Sequence, residues 1–167
     1  KYFGLLLAEE IANLDRVLSS PQSPLCAVIG GAKVSSKISV LENLLSNIDH
    51  LMIGGGMAYT FVKARGGQVG SSLVEDEYLD TAISILDQAE IAGVEVHLPT
   101  DTIVADAFSN DANTDLCNID EIPDGWMGLD IGPESIARFV EVLHNSKTIL
   151  WNGPMGVFEM ESFDKGT

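Results

Sequence analysis

Basic residues are scarce in this chain. Nine Lys and Arg face 25 Asp and Glu, a formal net charge of −16 over 167 residues. A nucleic-acid or anionic-membrane surface needs a basic footprint, so the charge balance argues against both. Cysteine is nearly absent too. Cys26 sits inside an apolar run and reads as a small core residue; Cys117 is far from it in sequence. Neither has metal-ligand spacing, and the two make no disulfide framework, which fits a reduced, cytoplasmic setting. No apolar run reaches membrane-spanning length, and no leader-like segment opens the sequence. Several catalytic signatures are missing as well. The chain contains no Gly-Lys pair and hence no GxxxxGK[ST]. Tyr59 stands where GxGxxG would need its last glycine, and neither HRD, DFG nor GxSxG occurs.

What remains is rich in glycine and alternates between apolar runs and helical spacing. Hydrophobic residues make up 46% and charged residues 20%, ordinary for a globular α/β protein. Phe3–Leu18 has the three- and four-residue steps of a helix, and Ser19–Pro24 (SSPQSP) breaks it. Leu25–Ile29 is a short buried strand, and the helical spacing of Val34, Ile38, Leu41 and Leu45 follows Gly30-Gly31. The same order recurs at Leu51–Ile53, Gly54-Gly55-Gly56 and a helix carrying Met57, Phe61 and Ala64. Gly66–Leu73 reads as a loop. Leu79, Ile83, Leu86 and Ala89 mark a helix with Gly93 as its C-cap. Val94–Leu98 and Ile103–Ala105 read as strands, and Asn110–Pro123 as a surface loop. After the glycine-punctuated Gly125–Gly132, Pro133 opens a helix, and Thr148–Trp151 is a last strand before Asn152-Gly153-Pro154-Met155-Gly156. Alternation of this kind predicts a parallel sheet with helices on both faces, with ligands bound beyond the C-terminal ends of the strands.

Two of the few cations invite a chemical reading. Lys33 and Lys37 fall four apart, in what the spacing predicts to be the first turns of a helix. Like charges there repel by about 0.2–0.5 kcal/mol and oppose the helix dipole. An anion in the preceding glycine turn would reverse both penalties; solvated, mildly unfavourable lysines are the plainer alternative. Glu159 follows the loop WNGPMGVF and is either a solvated acid or an acceptor for ribose hydroxyls. His50, His97 and His144 are far apart in sequence and read as structural. Asp101 and Asp106, flanking a short strand, are weak candidates for a metal. Trp126 and Trp151 read as core or pocket-wall aromatics.

Taken together, Gly30-Gly31-Ala32-Lys33-Val34-Ser35-Ser36-Lys37-Ile38, Gly54-Gly55-Gly56-Met57-Ala58, Gly125–Ser135 (GWMGLDIGPES) and Trp151–Glu159 (WNGPMGVFE) closely resemble the phosphoglycerate kinase family in order and spacing. The resemblance covers essentially the whole chain, and its last segment is highly specific. Ser36 departs mildly, since many members have Asp there. The resemblance implies a cytoplasmic, monomeric glycolytic transferase that moves a phosphoryl group reversibly between 1,3-bisphosphoglycerate and MgADP, giving 3-phosphoglycerate and MgATP. It implies an α/β fold, a Rossmann-like three-layer nucleotide-binding domain truncated at both ends. Residues 1–21 would be a hinge-side helix and linker, and residues 22–167 most of that domain. By the same resemblance, Lys33 and Lys37 face phosphate and serve catalysis, with Gly31 and Ala32 as the backbone wall. Gly56, Gly128 and Leu129 line the adenine pocket. Asn152, Pro154, Gly156 and Val157 lie by the ribose and phosphates, and Glu159 binds the ribose hydroxyls. No metal ligand is expected within this chain; the Mg²⁺-binding Asp belongs beyond Thr167, and the acid-substrate site belongs to an N-terminal domain before Lys1. The segment alone is therefore expected to be inactive, or a non-catalytic adenine-nucleotide-binding module.

Overall fold

The structure, a computed structural model, describes residues 21–167. The helix expected over Phe3–Leu18, and the domain boundary at residue 21, lie outside or at the edge of that range. The centre is a four-stranded, all-parallel sheet. Its strands are β1 (Leu25–Ile29), β2 (His50–Ile53), β4 (Glu95–His97) and β9 (Thr148–Asn152), in the order β4-β2-β1-β9. Strand β1 is buried along its full length because it is interior to the sheet and covered on both sides.

The period-2 alternation of the central strands sorts their side chains onto two cores. Leu25, Ala27, Ile29, Leu51 and Ile53 pack against three helices on one side: α1 (Ile38–Leu44), α2 (Met57–Ala64) and α3 (Leu79–Ala92). Cys26, Val28 and Met52 face the other side, against Phe139, Ile136 and Leu143 of α4 (Pro133–Asn145). Helices thus cover both faces, as the alternation of elements predicted. Cys26 is fully buried. Burial pushes its thiol up to about 11, against a smaller opposing hydrogen bond from Ser146, so it behaves as a core atom rather than a nucleophile.

Two smaller sheets were not expected. Strand β5 (Asp101–Ala105) does not join the parallel sheet. It is the middle of an antiparallel sheet between β6 (Thr114–Asn118) and β8 (Met127–Ile131), with a register irregularity between Ile103 and Val104. Strand β3 (Gln68–Val69) pairs in parallel with β7 (Glu121–Ile122). The segments read as loops, Gly66–Leu73 and Asn110–Pro123, therefore contain strands. Strand β6 is an edge strand exposed at almost every position, so burial imposed no alternation on its sequence TDLCN.

The polar residues at the strand ends fix the helices. Asp101, buried, accepts hydrogen bonds from the Glu134 and Ser135 N–H groups at 3.0 and 2.7 Å and from the Ser135 hydroxyl. It caps α4 from a neighbouring strand, doing for Pro133–Ser135 what a local N-cap would do. Its carboxylate is committed to this cap, and Asp106 holds Asn113 through N–H and Nδ2, so neither acid is free for the metal role considered from sequence. Gly93 ends α3 at φ +74°, the left-handed C-cap its position predicted.

Candidate functional site

Three glycine turns meet at the C-terminal ends of β1, β2 and β9. Their main chains are laced together. Gly30 N donates to Asn152 O at 2.9 Å, Gly31 N to Pro154 O at 3.1 Å, Gly54 N to Ile29 O at 3.0 Å and Gly55 N to Met155 O at 2.9 Å. Side chains have no room in this lattice. A Cβ on Gly55, which sits at φ +68°, would lie 2.7 Å from backbone atoms of Gly31. The three turns form a rigid floor rather than independent loops.

Above that floor lies a cleft of about 490 Å³. Of the residues singled out from sequence, Gly31, Ala32, Gly56, Gly128, Leu129, Pro154, Gly156, Val157 and Glu159 all line it. Residues from β1's turn, α2, β8 and the loop after β9 converge here from positions 128 apart in sequence, taking Gly31 and Glu159 as the ends. The sequence reading missed Gly55, Tyr59, Ser71, Leu73, Phe108, Met127 and Phe158. Leu73, Phe108 and Phe158 are about half exposed, large apolar side chains on loops, and nothing in single-sequence periodicity marks such residues. Tyr59 packs so tightly below β8 that a Cβ on Gly128 would overlap its hydroxyl and ring. Its hydroxyl is 2.8 Å from Thr102 Oγ1, and burial pushes its pKa well above the usual phenol value.

Lys33, Lys37 and Asn152 stand outside the cleft wall, at its β1 end. The geometry here corrects the sequence reading. Helix α1 begins only at Ile38, and Lys37 is its N-cap at φ −119° and ψ −7°. Lys33 lies in an irregular turn, so the predicted i,i+4 repulsion within a helix does not arise. Side chains satisfy this turn's backbone instead. Ser35 donates to the Glu75 carboxylate through N–H at 2.9 Å and through Oγ at 2.6 Å, and Ser36 Oγ donates to Lys33 O at 2.8 Å. Burial pushes the Glu75 carboxyl up, but the Ser35 hydroxyl and N–H, with the nearby Lys33 charge, outweigh it and hold it below its ordinary value. Lys37 Nζ donates to Asn152 Oδ1 at 2.5 Å, and its Cε passes 3.7 Å from the Cβ position of Gly31. The Lys37 ammonium therefore stands beside the backbone where the cleft opens.

Beneath the far side, Asp130 is buried at the end of β8. It accepts N–H groups of Ile131 and Gly166, both at 2.9 Å. Burial raises its pKa, and those N–H groups pull it back in part. Asp130 anchors the segment Gly156–Gly166, whose Val157 N also donates to Leu129 O at 2.8 Å. This holds Val157, Phe158 and Glu159 over the cleft.

A second depression, about 630 Å³, lies between α2 and the β6–β7 turn and is lined by Val62, Arg65, Pro99 and Asn118–Glu121. None of the residues singled out from sequence for function reaches it; it borders the segment Leu98–Thr100 that follows β4.

The comparisons with known proteins agree with the motifs. The family model described as phosphoglycerate kinase matches residues 1–167. The chain is 54% identical over 164 residues to the phosphoglycerate kinase of Thermosynechococcus vestitus, covering 98% of this chain and 41% of that one. It is 56% identical to that of Trichodesmium erythraeum, with the same coverage. Among solved structures, phosphoglycerate kinase from Coxiella burnetii superposes with a TM-score of 0.93 at 47% identity, and that from Pyrococcus horikoshii with 0.83 at 29%. Each covers 98% of this chain, which spans about 42% of the relative. With the family model spanning its whole length, this chain belongs to the phosphoglycerate kinase family.

Proposed function

We propose that the cleft holds the adenine nucleotide of the phosphoglycerate kinase reaction, and that residues 22–167 are most of the nucleotide domain of that enzyme. The observation that supports this is the division of the site. One part is a largely apolar slot, with Gly56, Gly128 and Leu129 on its walls. Glu159 is the one charged residue on its lining, and Lys37 stands outside it, its Cε 3.7 Å from the Cβ position of Gly31. A purine fits the first, ribose hydroxyls the second and phosphates the third.

In this reading Glu159 accepts the ribose hydroxyls, Pro154, Gly156 and Val157 shape the wall beside ribose and phosphate, and Asn152 stands just outside it. Lys37, with Lys33, faces the phosphates. Phosphoryl transfer asks little covalent work of a protein. It needs in-line positioning and neutralisation of charge on the transferring group. Lysine suits this as a compact charge on a flexible stem. Asn152 Oδ1 engages one of three ammonium protons and fixes the head group's direction, leaving two for phosphate oxygens. Mg²⁺ arrives with the nucleotide as part of the substrate. The partner substrate, 1,3-bisphosphoglycerate or 3-phosphoglycerate, binds outside these residues, so the segment alone turns nothing over and acts as a nucleotide-binding module. The setting is a monomeric, cytoplasmic, glycolytic enzyme; among the described residues, no helix is long and apolar enough to cross a membrane.

The test is a coupled assay of the full-length protein and of this segment side by side, with MgADP calorimetry on both. The reading expects turnover only from the full-length protein and saturable binding by both. Turnover by the isolated segment contradicts the module assignment; absence of MgADP binding to the full-length protein contradicts the nucleotide site.

A further inference from the structure

His50 and His97, 47 residues apart and read from sequence as unrelated structural residues, meet in the fold. Strands β2 and β4 run parallel, with His50 opposite Glu95 and Met52 opposite His97. Alternation turns His50, Glu95 and His97 to one face of the sheet, the face that carries Met52 and packs α4. The cluster lies at the start of β2, the end of that strand away from Gly54 and the cleft.

The donor atoms converge. His50 Nδ1 is 3.2 Å from His97 Nε2 and 3.4 Å from Glu95 Oε2, and His97 Nε2 is 4.0 Å from Glu95 Oε1. Metal–nitrogen bonds of about 2.0–2.1 Å at tetrahedral angles place donor atoms about 3.3 Å apart, close to the first two of these separations. Among the described residues, this is the group of His, Cys, Asp and Glu whose ligand atoms all lie within 4.8 Å of one another. A single N–H between the rings satisfies one of the three acceptors; a cation at their common centre satisfies all three. The imidazole side chains are 22% and 13% exposed and the Glu95 side chain 67%, so the rings are held while the carboxylate opens to solvent. Arg138, on exposed α4 surface, is the positive charge any bound ion must face, and it limits affinity.

We propose that His50, Glu95 and His97 form a site for a divalent transition-metal ion of the zinc type, clasping edge strand β4 to β2. Two imidazoles and one carboxylate suit zinc far better than magnesium or calcium, which prefer all-oxygen shells. The site is independent of the nucleotide cleft, and it departs from the expectation that the chain carries no metal ligand.

The experiment is a Zn²⁺ titration of chelator-treated, nucleotide-free full-length protein against a chromophoric chelator, repeated with Co²⁺ for its ligand-field bands. The proposal expects one strong site per chain, a melting temperature that rises with Zn²⁺, and no competition from equimolar Mg²⁺. Glu95→Gln should weaken binding at least about tenfold, on the scale seen when a ligand-shell group is lost. His50→Gln and His97→Gln should abolish it, and His144→Gln should leave it unchanged. Unaltered zinc affinity in Glu95→Gln, or no saturable site in the wild type, overturns the proposal. Should a histidine variant fail to fold, the exposed Glu95→Gln still decides, because a Co²⁺ titration shifted at least about tenfold in a folded variant supports the site and an unshifted one refutes it.

Discussion

Lys37 Nζ and Asn152 Oδ1 meet at 2.5 Å across a sequence separation of 115 residues. The pair joins the turn after β1 to the last residue of β9, where Ile29 and Asn152 are in register. It ties the ammonium to the strand ends without neutralising it. If the lysine serves phosphate chemistry, Lys37→Ala in the full-length enzyme lowers kcat by about 10²–10³-fold, the range for removing one preorganised charge-stabilising group. The side chain is half-exposed and contributes little to the core, so the melting temperature should move by only a few degrees. Steady-state kinetics with parallel thermal melts checks this.

Asn152→Ala removes the tether but keeps the charge. It should lower kcat less than Lys37→Ala does, and the double variant should be no worse than Lys37→Ala alone. A double-mutant cycle on kcat measures that non-additivity.

Glu159→Gln tests the one charged residue on the cleft lining. The exposed carboxylate makes no hydrogen bond within the described residues that its loss would break. A charged hydrogen bond is worth about 1.5–3 kcal/mol, so KM for MgADP should rise about 10–100-fold with kcat nearly unchanged. Replacing MgADP by a 2′,3′-dideoxy analogue should give little further loss in the variant.

Asp101 is legible only in three dimensions. Asp101→Ala strips the N-terminus of α4 of a buried acceptor for two N–H groups and a hydroxyl. Destabilisation of about 2 kcal/mol is expected from the lost cap and the orphaned donors. Urea unfolding should show it as a lower midpoint with the same slope.

Glu75 carries a pH signature. Its folded-state pKa is lowered by Ser35 from an ordinary value of 4.5. The stabilisation is therefore present above that value and lost as pH falls through the folded-state pKa. The stability difference between wild type and Glu75→Gln should be constant near neutrality and shrink below about pH 4.5. Denaturation midpoints across that range check the sign. Asp130, raised by burial, titrates the other way in both proteins and cancels from the difference.

Much of the parallel sheet was legible because its central strands are buried on both faces and its helices carry clear caps, as at Pro133 and Gly93. The glycine turns were legible because only glycine permits such close main-chain approach. The small sheets were not, since β6 is exposed and β3 is two residues long. The lysine turn misled for a different reason. Val34 keeps helical spacing with Ile38, yet Glu75, forty positions on, captures the Ser35 backbone and delays the helix. Similarly, His50 and His97 gain meaning only from the register of β2 with β4. Long-range pairing of this kind leaves no trace in local periodicity.

We propose that the cleft between the glycine turns and β8 is the nucleotide site. The most direct measurement is an amide NMR titration of the chain with MgADP. Saturable shifts are expected at Gly31, Gly56, Gly128, Leu129 and Val157–Glu159, with the region around Arg65 and Asn118–Glu121 unmoved. No saturable shifts, or shifts confined to that second depression, would contradict it.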